Sequence, residues 1–302
     1  MVDRGSSALH ERIADQLGRQ VDPAVARFAE DLARENDMRA MLFYGSNLRT
    51  GSLEGVLDFY RLLPGPRHER IWPRVSYHER LEDGVDLRAK LATMTLPMFA
   101  KAARGETLDT TIWARFVQPA ALVWHRDEQA RLEVIEAVAQ AAITAARLAV
   151  ALGPRRGEPQ EYWRGLFRET YRAEFRVEKA GRENDILAAN SEHFQGLLPL
   201  ALEAGGIAYT RTGEQLEPRM TPKERARVLA WWRRRRRLGK PLNLARLAKA
   251  STTFEGAARY GAWKIERHTG MPVEVTPFRE RHPLLAAPAV LWKVRQHRKH
   301  QG

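Results

Sequence analysis

The stretch MLFYGSNLRTGSLEGVLDFYRLL, residues 41–63, holds two apolar runs, 41–44 and 56–63, joined by a polar, glycine-rich connection. Both runs are short and rich in aromatic or branched residues, so they read as buried strands around a helix or loop. The second carries one acid, Asp58, twelve residues after Ser46. A strand that ends in Gly45-Ser46 and turns into a helix offers backbone N–H groups and a hydroxyl, which are the donors a phosphate needs. A carboxylate on the neighbouring strand can hold a divalent cation against those same phosphates. The competing account is structural: Gly-Ser is common in turns, and a lone Asp at a strand end often serves as a turn or cap residue.

Working outward, residues 8–38 carry Ile13, Leu17, Val21, Val25, Phe28 and Leu32 at near-helical spacing, which predicts one or two amphipathic helices. Beyond the turn-rich PGPRHERIWP, Asp83-Gly84 sits between alternating segments and predicts a hairpin with strands near 74–80 and 85–93. Residues 97–103, 108–127, 129–152 and 160–179 read as helical or partly helical, with a break at Pro154, Gly157 and Pro159. The last of these shows an aromatic face and a row of Arg164, Arg168, Arg172 and Arg176. That row reads either as a solvated face supported by nearby glutamates or as a surface for phosphates. The polar GGIAYTRTGEQLEPRMTPKERA reads as a linker. The predicted class is α+β, with a sheet domain at 1–128, a helical domain at 129–210 and a basic extension at 211–302.

The chain of 302 residues has no cysteine, which excludes disulfide frameworks, thiolate zinc sites and cysteine nucleophiles. VIEAVAQAAITAARLAVAL is interrupted by Glu136, Gln140 and Arg147, so it reads as a buried Ala-rich helix, and the expected location is cytoplasmic. Charge is unevenly divided. Residues 219–302 hold 21 Lys+Arg and 5 Asp+Glu, a net of +16, which leaves 1–218 at −3. Such asymmetry predicts a polyanionic partner for the last third, either nucleic acid or an anionic membrane surface. WWRRRRRLGK suits both, through Trp at a lipid interface with Arg on headgroups, or through stacking with backbone neutralisation. His268 and His282, each beside an arginine, are candidate phosphate contacts or local structural residues.

YGSNLRTGSLEGVLDFYRLL also resembles the corresponding region of the mitochondrial-type CDP-diacylglycerol synthases, the translocator-assembly-and-maintenance family of the nucleotidyltransferase superfamily, in which Tyr-Gly-Ser precedes a Leu-Asp-Phe strand. VDLRAKLATMTLPMFAKAARGETLDTTIWARFVQPAALVW is similar to that family's lysine-bearing strand, the helix after it and the region that binds the phosphatidate end. The resemblance covers residues 38–200. It implies a nucleotidyltransferase-like mixed sheet, CTP and Mg²⁺, and transfer of CMP to phosphatidate with release of pyrophosphate; the basic composition of 219–302 adds an expected contact with the cytoplasmic membrane surface. It assigns the triphosphate to Gly45 and Ser46, the metal to Asp58, and phosphate contact at the reacting centre to Lys90, with Arg49 a further candidate for the nucleotide. Acceptor phosphate would fall to Arg115, Gln118, Lys264, Arg267 and His268. One position departs from the pattern: Tyr60 stands where two-metal transferases carry a second acid. Asp86, with Glu79 behind it, is the candidate replacement ligand. A nucleotidyltransferase acting on RNA, and an inactive nucleotidyltransferase-like adaptor, stay open beside the lipid enzyme.

Overall fold

Helices α1 (Arg4–Leu17) and α2 (Pro23–Arg34) lead into the opening stretch, which forms β1 (Ala40–Tyr44), a short α3 (Ser46–Thr50) and β2 (Leu57–Leu63). The computed structural model describes residues 4–34, 37–66, 74–173, 182–281 and Trp292. Strands β3 (Arg74–Glu82) and β4 (Val85–Thr95) follow as the expected hairpin. Its turn residues Asp83 and Gly84 take φ of 50° and 80°, the left-handed pair whose twist matches two antiparallel strands. Then come α4 (Leu96–Ala103), α5 (Thr111–Phe116), β5 (Ala120–His125) and α6 (Glu128–Leu152).

Strand β5 corrects the expectation of helix across 108–127. Pro119 closes α5, and the Ala-Ala-Leu-Val-Trp run that follows has no polar stripe for a helix to expose. It pairs instead along the free side of β1. The sheet order is β3-β4-β2-β1-β5, with β2 and β4 parallel and the other neighbours antiparallel, so the sheet is mixed. Alternation sends Leu42, Tyr44, Tyr60, Leu62, Ala92 and Met94 to one face, into a large core shared with α4, α5 and α6. Met41, Phe43, Phe59 and Leu91 point to the other face, under Val25, Phe28 and Leu32 of α2. With both faces covered, every residue of β1 is buried. By length and composition α6 is apolar enough to cross a membrane, yet 78% of its most apolar window is buried inside the fold.

The chain continues through α7 (Pro159–Ala173), α8 (Arg182–Ala189), α9 (Ser191–Phe194) and α10 (Leu197–Ala204). Strands β6 (Tyr209–Thr212) and β7 (Gln215–Pro218) pair where the sequence suggested a linker. The hairpin is anchored because Gly157 and Leu216 exchange both backbone hydrogen bonds, at 3.1 and 2.8 Å. The arginine row of α7 is the solvated kind: Arg164, Arg168 and Arg172 bond Asn184, Glu183 and Glu169. Arg176 and His282 lie outside the described residues.

Three further helices complete the chain: α11 (Pro222–Thr253), α12 (Ala257–Thr269) and α13 (Pro277–Arg281). Helical periodicity splits the Trp-Trp-Arg run of α11 between inside and outside. Trp232 is 2% exposed, and the rings of Trp231 and Trp232 lie 5.9 and 6.2 Å from buried Trp113. Trp231 Nε1 and Arg235 Nη2 both donate to the Gly105 carbonyl, at 3.1 and 2.6 Å. Gly105 has φ +69°, and a Cβ there would come 2.8 Å from the Trp231 ring, so glycine permits this approach. Trp232 is therefore a core residue, and Trp231 packs half-buried beside it. Arg236 pairs with Glu169, while Arg233, Arg234, Arg237 and Lys240 face solvent. At the far end of α11, Arg246 forms a buried ion pair with Asp109, and Tyr77 N donates to Glu255 O at 2.9 Å. The basic third thus packs across both the helices and the sheet.

Candidate active site

Gly45 bridges β1 and α3 with φ 94° and ψ −161°, a combination that side chains avoid. A Cβ at this position would stand 3.3 Å from Asp58 Oδ2. Glycine therefore lets the turn close directly over the carboxylate of the next strand. Asn47 holds the rest of the connection: its buried amide donates to the carbonyls of Ser52 and Glu54 at 2.8 and 2.7 Å. Nothing in the sequence marks Asn47, because an Asn in a polar connection gives no sign of what it bonds.

Tyr44, Gly45, Ser46, Arg49, Asp58, Arg115 and Gln118 line one cavity of about 260 Å³. The fold thus brings Gly45, Ser46 and Arg49 of the expected triphosphate set together with Asp58 of the expected metal pair and Arg115 and Gln118 of the expected acceptor set. The opposite wall comes from α7 and from the α8–α9 region: Phe167, Thr170, Tyr171, Ile186 and Asn190. Phe167 and Tyr171 read in the sequence only as part of an aromatic helix face, and nothing in the sequence marks Ile186 or Asn190. No local signal connected them to Asp58, which lies more than a hundred positions earlier.

Asp58 is the register partner of Lys90 across the parallel β2–β4 pair, and the two project from the same face of the sheet. Burial raises the Asp58 pKa, against the opposing pull of Lys90 and Arg115. Among the described residues no hydrogen bond or ion pair reaches its carboxylate. Arg115 lies 4.8 Å over the Tyr44 ring and 6.0 Å from the Tyr60 ring. It also hydrogen-bonds the Tyr44 hydroxyl, whose pKa burial drives upward. Tyr60, at the place of a second acid, is buried among Tyr44, Phe99 and Phe116, with ring centroids 5.3 to 6.3 Å away.

The structure does not bring Asp86 to Asp58. Asp86 is exposed, bonded to Arg88, and four positions before Lys90, about 13 Å along an extended strand. Glu79 sits opposite Arg88 and accepts from the Tyr77 hydroxyl at 2.9 Å. Among the described residues no group of three His, Asp or Glu could hold a metal.

Helix α12 approaches the same end of the sheet. Tyr260 stacks edge-on to Tyr77 at 5.4 Å, and its hydroxyl pKa is raised by burial and then by the charge of Asp58. Lys264 lies 5.9 Å over the Tyr260 ring, and Arg267 lies 5.3 Å over Trp263. A Cβ on Gly55 would come 3.0 Å from Arg267 Nη1, so this cation rests on the connection after α3. The side chain of His268 lies outside the described residues. Lys264 and Arg267 therefore border the Asp58 region without lining the cavity. No protein-family model matches the chain, and no curated protein matches it.

Proposed function

We propose that the chain is a nucleotidyltransferase that moves CMP from CTP to phosphatidate, or a related phospholipid, at a membrane surface. The observation that carries this reading is the Gly45 turn, whose missing Cβ leaves the Asp58 carboxylate open beside Ser46, Arg49 and Arg115 in one cavity. Arg49 and Arg115 supply charge to a triphosphate, and Ser46 supplies a hydroxyl. Asp58 is a carboxylate with no hydrogen bond of its own, which fits a ligand to one Mg²⁺ that arrives with the nucleotide; Mg²⁺ commonly takes one or two carboxylates plus phosphates and waters. When bound, the cation would offset charge on the phosphates. The donor set fits one ion and not two, since Tyr60 is committed to an aromatic cluster.

Lys90, opposite Asp58, and Lys264 and Arg267 on α12 would draw in the acceptor phosphate on the sheet side. An acceptor oxygen attacks the α-phosphorus; the bond from that phosphorus to the β-bridging oxygen breaks, and pyrophosphate leaves with the electron pair. The acceptor is already an anion, so the chain needs to supply no strong base. Membrane contact would fall to Arg233, Arg234, Arg237 and Lys240, with Leu238 and Leu244 exposed beside them. At about 1 kcal/mol per basic residue near an anionic leaflet, these four contribute about 4 kcal/mol, enough for reversible attachment.

Tyr60 favours a second reading, in which the cavity binds nucleotide without transfer and the protein acts as an adaptor. Calorimetry with CTP, ATP, GTP and UTP in Mg²⁺, on wild type and Asp58→Asn, followed by a phosphatidate assay, separates the two. Selective CTP binding lost in Asp58→Asn, with CDP-diacylglycerol formed, supports the transferase. Binding without product supports the adaptor, and absence of nucleotide binding sinks both.

A further inference from the structure

A second set of cavities lies between α6, the α10–β6 connection and the first turns of α11. One, of about 270 Å³, is lined by Arg147, Arg219 and Arg227 with Ile207, Met220 and Val228. The other, of about 150 Å³, shares Arg147, Arg227 and Val228 with it and adds Trp231 and Thr144. The two adjoin through these shared residues. None of the three arginines makes a side-chain hydrogen bond or ion pair among the described residues. The one acid in the lining, Glu224, accepts from Thr221 N and Oγ1 at 2.9 and 2.7 Å, while its own N–H bonds Thr221 Oγ1 at 3.2 Å, and its charge is also felt by Arg227 and Arg147. That is the reciprocal capping box at the start of α11. Arg147 is the lone charge in α6 after Glu136, on a helix otherwise packed with alanine and leucine.

Three exposed arginines and one glutamate line the larger cavity, so its charge stays positive even with the Glu224 carboxylate counted, and an anion is favoured there. Guanidinium forks suit phosphate oxygens, and Ile207, Met220, Val228 and Trp231 offer an apolar floor beside them. We infer that this double cavity binds a phosphomonoester carried on an apolar body, at a site separate from the Gly45–Asp58 cavity. The phosphate lies among Arg147, Arg219 and Arg227, and the apolar part lies toward Val228 and Trp231. The inference does not depend on the transferase reading, because none of these residues lines the first cavity.

Calorimetry on the full chain with two probes, inorganic phosphate and a short-chain diacyl phosphatidate below its micelle concentration, tests it. Wild type, Arg147→Ala, Arg227→Ala and Arg34→Ala are compared, the last removing the same charge from the far side of the sheet, and each is repeated on an Arg115→Ala background so that phosphate bound in the first cavity is told apart. Arg147→Ala and Arg227→Ala are each expected to weaken binding about 10-fold, as loss of a charged hydrogen bond does, while Arg34→Ala changes it less than about 2-fold. Tighter binding of the phosphatidate than of phosphate assigns a lipid as the source, and equal binding assigns a free phosphate; each supports a phosphate site. Binding of neither probe, or equal losses in Arg147→Ala and Arg34→Ala, overturns it. Unchanged unfolding midpoints in the variants show that the surface arginines, and not the fold, were altered.

Discussion

Gly45→Ala is the sharpest single test of the site. The native φ of 94° and ψ of −161° lie in a region that is essentially glycine-only, so an alanine there costs about 1–3 kcal/mol of stability from backbone strain. The added methyl also stands 3.3 Å from Asp58 Oδ2, so the carboxylate must shift or the turn must open. Gly51→Ala is the matched control. It too replaces a left-handed glycine, at φ 69° and ψ 4°, and costs about 1–2 kcal/mol, but a Cβ there meets nothing within 4 Å. Urea unfolding and Mg²⁺·CTP calorimetry are run on both variants. Both should lose stability, and only Gly45→Ala should lose nucleotide affinity, by about 10-fold or more. If Gly45→Ala keeps wild-type affinity and stability within about 0.5 kcal/mol, the turn does not shape the site, and the assignment of Gly45 and Asp58 to one function fails.

Two other outcomes follow from buried charge. Asp109 would be pushed up by burial, but Arg246 and Thr111 outweigh this and hold its carboxyl below the usual value, so Asp109→Asn should cost about 3–5 kcal/mol in denaturant unfolding, while pairing it with Arg246→Met should recover most of that loss. His193 is lowered by burial to about 4, against the pull of the Val117 carbonyl it donates to and with the help of Arg19 and Arg12. It is held neutral in the fold, so its contribution is complete above 6.5 and is lost as pH falls from there through about 4. The drop in Tm between pH 7.5 and 4.5 should shrink in His193→Gln, and an unchanged drop would show that another group governs acid unfolding.

What the sequence determined alone is local. Asp83-Gly84 demanded a two-residue turn, and the apolar runs on either side of Gly45-Ser46 could only be buried strands. The spacing to Asp58 then placed glycine, serine and carboxylate at one end of adjacent strands, because neighbouring runs joined by a short connection pair with each other. Tertiary packing decided the rest. The run of two tryptophans and five arginines carries the same composition whether it faces lipid, nucleic acid or core; only the docking of α11 on Trp113 and Gly105 put Trp231, Trp232 and Arg235 inside. Residues 120–125 became a strand because β1 had an unpaired side, which no periodicity within those residues reports. Asp86 lies in the same hairpin as Lys90, yet four positions of extended chain carry it away from Asp58. Phe167, Tyr171 and Asn190 reach the cavity only because α7 packs on α6 and α8 on α7, and contacts between elements so distant in the chain are set by which apolar faces remain to be covered once the local structure has formed.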